Sequence, residues 1–203
     1  NTFKQITDVP AVLRYGSNSS TRVVDIGVGL KHVVAVTSTG TVTAWGDNRY
    51  GQIAVPTALT DGTVKATACD CGEYHTAVVD DAGNVYAWGL NDNGQVDGIV
   101  STAETGSYGP YHKSTLDTNG NLIPLAFTGL STVSAFDVTC GFNHNFVINK
   151  ADNVTTNMVI GWGSNFFKQT DWATASGTAA VAPKYINIPG TSEPLTAVQI
   201  DGG

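Results

Sequence analysis

Apolar and polar positions in this chain change over every few residues, and no long helical stripe forms. Val23 to Val28, Ala66 to Cys71 and Phe136 to Cys140 are short runs of β-prone residues, each ended by glycine. The runs that follow, His32 to Val36 and His75 to Val79, lead into turns at Ser38-Thr39-Gly40 and Asp81-Ala82-Gly83. Glycine supplies the positive φ that a tight hairpin needs there. The returning arms, Thr41 to Trp45 and Asn84 to Trp88, alternate, with Val42/Ala44 and Val85/Ala87 on one side. The pattern predicts three short antiparallel strands per unit. A fourth, outer strand is expected in the stretch before the next unit, with Pro56 marking a place where no ladder N–H is required.

The units recur at a fixed period. His32 to His75, Trp45 to Trp88, Gly40 to Gly83 and Gly51 to Gly94 are each 43 residues apart. A third, looser copy carries Cys140-Gly141-Phe142-Asn143-His144 and Trp162-Gly163-Ser164-Asn165, with Lys168-Gln169 where the others have Gly-Gln. Both ends read as cuts through further copies: Asn1 to Gln5 parallels Asn165 to Gln169, and Val198 to Gly203 parallels Val24 to Gly29. A fixed period of this length predicts small sheets stacked about an axis, because one such sheet cannot bury both of its faces alone. The expected division is a partial blade at 1–20, blades at 21–63 and 64–95, an insertion at 96–132, a blade at 133–194 and a partial blade at 195–203. The residues before the repeat glycine (Val28, Cys71, Cys140, Gly202) are small, as inner strands converging on a channel require.

Composition narrows the function. The net charge is −7 with ten Lys and Arg residues scattered singly, so the surface is expected to repel phosphate backbones, and nucleic acid is not an expected partner. No apolar run reaches the length of a membrane span, so no membrane insertion is expected. Cys69 and Cys71 sit on one face of one strand, with Cα atoms roughly 6.5–7 Å apart, at or beyond bridging distance. Free buried thiols are expected, and no metal set with ligand spacing is present.

Gly-x-x-His followed by Gly-x-Val-x-Ala-Trp-Gly-x-Asn-x-x-Gly-Gln resembles the repeat of the regulator-of-chromosome-condensation propellers. The resemblance covers nearly the whole chain, and Gly51 to Pro56 is closest to the form in bacterial, secreted members. It implies an all-β propeller of four-stranded blades: about three blades here plus partial blades at both ends, as a fragment of a ring that usually has seven. Family activities include nucleotide exchange on a small GTPase and enzyme inhibition, both worked by loops outside the repeat pattern.

Gly29, His32, Trp45, Gly72, His75, Trp88, Gly141, His144 and Trp162 recur in register and read as scaffold, the histidines bonding neighbouring backbone and the tryptophans packing between blades. Asn48, Asn91 and Asn165 read as turn residues. Asn91 to Gly94 and Asp117 to Asn121 faintly resemble calcium loops but lack the closing Glu, so turns are expected. No nucleophile motif or phosphate-cradling loop occurs, so no catalytic residue, cofactor or metal is assigned and an enzyme is not expected. The variable positions before each His (Lys31, Glu73, Tyr74, Phe142, Asn143) and after each Asn (Arg49, Tyr50, Phe166, Phe167) are candidate partner-binding residues. Tyr108, Tyr111 and His112 of the insertion join them, since long loops on rigid scaffolds often carry function.

The expected function is a non-catalytic, protein-binding or structural module, extracellular, on a cell surface or in a virion such as a phage tail. The basis is an acidic, lysine-poor chain rich in Thr, Asn and Gly with the bacterial form of the repeat. A guanine-nucleotide exchange factor-like regulator and a carbohydrate or cell-wall binding accessory are the alternatives.

Overall fold

A computed structural model describes residues 9–14, 21–97, 117, 121–130, 133–150, 157–171 and 180–201 of the 203-residue chain. Three antiparallel sheets follow one another. The first holds β1 (Val23–Val28), β2 (His32–Thr37) and β3 (Val42–Gly46). The second holds β4 (Ala66–Cys71), β5 (His75–Asp80) and β6 (Val85–Gly89). The third orders β7 (Ala135–Cys140), β8 (His144–Asn149), β9 (Met158–Ser164) and β10 (Ala180–Tyr185) side by side. Register is shared: His32 faces Gly46, His75 faces Gly89 and His144 faces Gly163. Each inner strand is bulged at the same place, between Val23 and Asp25, Ala66 and Ala68, and Ala135 and Asp137. The inner strands β1, β4 and β7 pack in succession.

The period-2 pattern acquires its meaning from this stacking. Cys69, Cys71, Val78, Tyr86 and Trp88 of the second sheet pack with Val34, Val36 and Val42 of the first. Their alternates Ala68, Ala77, Val79, Val85 and Ala87 pack with Val138, Val147, Ile160 and Trp162 of the third. The middle sheet is therefore buried on both faces, and every residue of β5 and β6 is buried. A polar side chain on either face would have no water to turn to.

The outer strand is present in the third sheet as β10. In the first unit, the stretch expected to supply one instead makes a single helical turn, α1 (Thr57–Thr60), begun by Pro56 and anchored by the fully buried Leu59. Pro56 does mark the end of ladder pairing, but a lone apolar anchor over four residues suits one helical turn better than a strand.

Candidate functional site

Each boundary between blades is held by the same latch. Trp88 Nε1 donates to the main-chain carbonyl of Gln52 at 3.0 Å, and Trp162 Nε1 to that of Gln95 at 3.1 Å. The residue after the next blade's histidine reaches the same carbonyl: Thr76 Oγ1 to Gln52 at 2.8 Å, Asn145 Nδ2 to Gln95 at 2.7 Å. That residue also accepts from the preceding blade's histidine, His32 Nε2 to Thr76 Oγ1 at 3.1 Å and His75 Nε2 to Asn145 Oδ1 at 2.7 Å. His32 and His75 each reach a side chain of the next blade, and His32 also meets the His75 backbone, so side-chain partners join the backbone bonding that was expected.

Because Nε2 carries the proton in this arrangement, Nδ1 is left bare, and the Nδ1 atoms of His32, His75 and His144 are buried with no partner. A second proton would have no acceptor. Burial lowers the pKa of His32 and His75 to about 4 and lowers that of His144 as well. The glycine of Gly-x-x-His lies beneath the imidazole: a Cβ at Gly72 would fall 2.1 Å from His75 Cε1. Only glycine allows that approach.

A further set of contacts had no counterpart in the repeat comparison. Asp25 accepts from the Cys69 N–H at 2.8 Å, and Asp70 from the Cys140 N–H at 2.7 Å and Thr139 Oγ1 at 3.0 Å. Asp137 takes the N–H of Ile200. Burial raises the carboxyl pKa of Asp70 and Asp137. The available signal was one carboxylate in each otherwise β-prone inner strand, but Asp70 stands two places further along its strand than Asp25 and Asp137, which hid the correspondence.

Several of the variable residues meet across blade boundaries. Arg49 and Tyr50 of the first blade meet Tyr74 of the second: the tyrosine rings are 4.8 Å apart at 52°, and the Arg49 guanidinium lies 5.6 Å from the Tyr74 centroid. Asp47 steadies Arg49 at 3.0 Å and raises its pKa. Glu73 donates its N–H to the Phe142 carbonyl at 2.9 Å. Burial and then Asp92 raise the Glu73 carboxyl pKa, while Lys31 lowers it. Asn143 accepts from Gln95 Nε2 at 3.3 Å. A cleft of about 430 Å³, lined by Val28, Cys71 and Cys140 on the inner strands, is bordered also by Leu30, Glu73 and Phe142. Phe166 and Phe167 pair edge-on at 5.0 Å, with Phe167 82% exposed. Tyr108, Tyr111 and His112 lie outside the described residues.

The turn glutamines brace these loops. Gln52 Oε1 accepts from the Tyr50 N–H, and Gln95 Oε1 from the Asn93 N–H. Asn48, Asn91 and Asn165 accept from Ile53, Val96 and Thr170 N–H groups, as turn residues do. Asp117 is likewise engaged by Asn121. All three cysteines are free and buried, and burial raises their pKa. Among the described residues no group of three or more His, Cys, Asp or Glu could hold a metal ion, and no helix is long and apolar enough to cross a membrane.

Comparison with known proteins bears on this arrangement. The sequence profile of the "Regulator of chromosome condensation (RCC1) repeat" matches residues 23–52 and 64–95. Human WBSCR16 is similar in structure, at TM-score 0.55 and 21% identity over 84% of this chain and 40% of that one. Prp20p from Saccharomyces cerevisiae, whose structure was described with its binding properties to Gsp1p and histones, is similar at TM-score 0.56 and 19% identity, over 83% of this chain and 39% of its own. The chain thus spans about two fifths of these proteins. No curated protein matches its sequence.

Proposed function

Because residues 23–52 and 64–95 match the RCC1 repeat, we propose that the chain is a non-catalytic protein-binding module whose contact surface comprises Lys31, Arg49, Tyr50, Glu73, Tyr74 and Phe142. The observation that carries this reading is the Arg49–Tyr50–Tyr74 cluster, which joins two blades and is already ordered by Asp47 and by the ring contact. Tyr and Arg are the residue types that concentrate binding energy, and side chains held in place beforehand lose less entropy on association. Phe142 and Phe167, 59% and 82% exposed, offer further apolar surface to a partner. The net charge of −7 suits a basic protein partner better than a nucleic acid. An extracellular, cell-surface or virion setting is part of the proposal, resting on the acidic, lysine-poor composition.

Gsp1p and histones, the proteins described with Prp20p, are the first probes. Photo-crosslinkers placed at Tyr74 and Phe142 serve for other partners. Joint replacement of Arg49, Tyr74 and Phe142 by Ala is expected to weaken a bound partner at least about tenfold with the thermal midpoint preserved. Unchanged affinity would overturn the contact-surface assignment, and faster GDP release from Gsp1p would establish the exchange-factor reading instead.

A further inference from the structure

The cleft where the inner strands converge measures about 430 Å³, within the range of about 300–1,000 Å³ usual for clefts that take a ligand. Its floor is main chain. A Cβ at Gly29 would fall 2.4 Å from the Gly72 carbonyl oxygen, and one at Gly72 would fall 2.6 Å from that of Gly141, so only glycine fits where successive blades touch. Its walls are apolar and open: Ile26, Val28, Leu30 and Phe142 are 54–64% exposed. Four large apolar side chains around one concavity mark a surface that a partner covers.

Charge narrows the partner. Asp70, Glu73 and Asp201 border the cleft, and no Lys, Arg or His is among the described residues that line it. Asp70 is already engaged, accepting from the N–H groups of Cys71 and Cys140 and from Thr139 Oγ1. Glu73 and Asp201 accept no side-chain hydrogen bond from a described residue. The bond of 2.9 Å from the Glu73 N–H to the Phe142 carbonyl keeps the residue with the carboxylate beside the residue with the ring. Burial raises the pKa of Asp70, with Asp201 pushing the same way; burial and then Asp92 raise that of Glu73, against Lys31. Carboxylates that crowd one another are relieved by an added cation. A metal ion does not suit them, since among the described residues no group of three or more His, Cys, Asp or Glu could hold one.

We infer that the cleft takes an arginine side chain presented by a protein partner, with its stem along Val28 and Leu30 and its guanidinium at Phe142, Glu73 and Asp201. Arginine suits these walls better than lysine, because its planar, weakly hydrated head stacks on an aromatic ring and pairs with carboxylates when partly buried. The inference rests on the protein-binding reading, and Glu73 and Phe142 belong to both.

The test titrates the ¹⁵N-labelled chain with the peptide acetyl-Gly-Ser-Ala-Arg-Ala-Ser-Gly-amide and with its citrulline counterpart, which keeps the shape and loses the charge. The arginine peptide is expected to shift the amide signals of Gly72, Gly141 and Phe142, and the citrulline peptide to bind at least about tenfold more weakly. Glu73→Gln and Asp201→Asn should each weaken the arginine peptide about threefold. Glu193→Gln removes the same charge from exposed surface elsewhere and should leave the affinity as it is. Amide signals that stay in place away from the cleft confirm that each variant is folded. No shift with about 10 mM peptide, equal binding of the two peptides, or equal losses in all three variants would overturn the inference. A protein partner bound through Arg49 and Tyr74 while the arginine peptide is ignored would end this inference and leave the protein-binding reading standing. Peptide binding at the cleft, with a partner indifferent to replacement of Arg49 and Tyr74, would do the reverse.

Discussion

Lys168 stands where the other two turns have glycine, and its φ of 64° matches the 78° and 68° of Gly51 and Gly94. A side chain in that left-handed region costs about 1 kcal/mol. Lys168→Gly is therefore expected to raise stability in urea unfolding by roughly 0.5 kcal/mol, the gain being reduced by the extra freedom glycine gives the unfolded chain. A fall in stability would show that the Lys168 side chain makes a contact worth more than the strain. Sequence comparison reads this scale well wherever a residue type is invariant among the copies. Gly72, His75 and Trp88 stand out because no other residue fits their sites. Thr76 and Asn145 do not, since the third residue of that set is Val33, and only their position between two blades makes them partners of His32 and His75.

The elements depend on such cross-blade bonds as much as on their own ladders. Asn145 accepts from His75 and donates to the Gln95 carbonyl, both bonds buried. Asn145→Ala leaves an imidazole N–H without a partner and is expected to cost about 2–3 kcal/mol of unfolding free energy. Asn145→Thr, which copies Thr76, is expected to recover most of that loss. Equal losses for Ala and Thr in denaturant titrations would show that packing, and not the bond, holds the boundary. Strands and hairpins could be read from periodicity and turn glycines. The helical turn α1 could not, because its four residues carry one buried anchor, and whether that anchor meets a strand edge or a neighbouring sheet is a tertiary matter.

For the whole molecule, the latch histidines make stability depend on pH. Unfolded imidazoles protonate near pH 6.5, whereas His32 and His75 resist down to about 4 in the fold. Between these values the unfolded chain holds more protons, so acid favours unfolding. Stability is expected to be full above pH 6.5 and to fall by about 2 kcal/mol per histidine on acidification to pH 4.5. Asp70 and Asp137, whose raised pKa values act in the opposite sense, partly offset the loss. Thermal unfolding between pH 7 and 4.5 tests this, and His75→Gln should flatten the dependence. A midpoint that stays constant or rises over that range would refute buried, neutral imidazoles.

By itself the sequence determined the period, the strands, the turns and the scaffold residues, because each follows from local backbone preference or from a site that admits one residue type. Which faces of the sheets are dry, that His32 and His75 are paired across a boundary, and that Arg49, Tyr50 and Tyr74 form one cluster were decided only in three dimensions. Residues 24 or more apart meet there, and no local preference encodes who their neighbours will be.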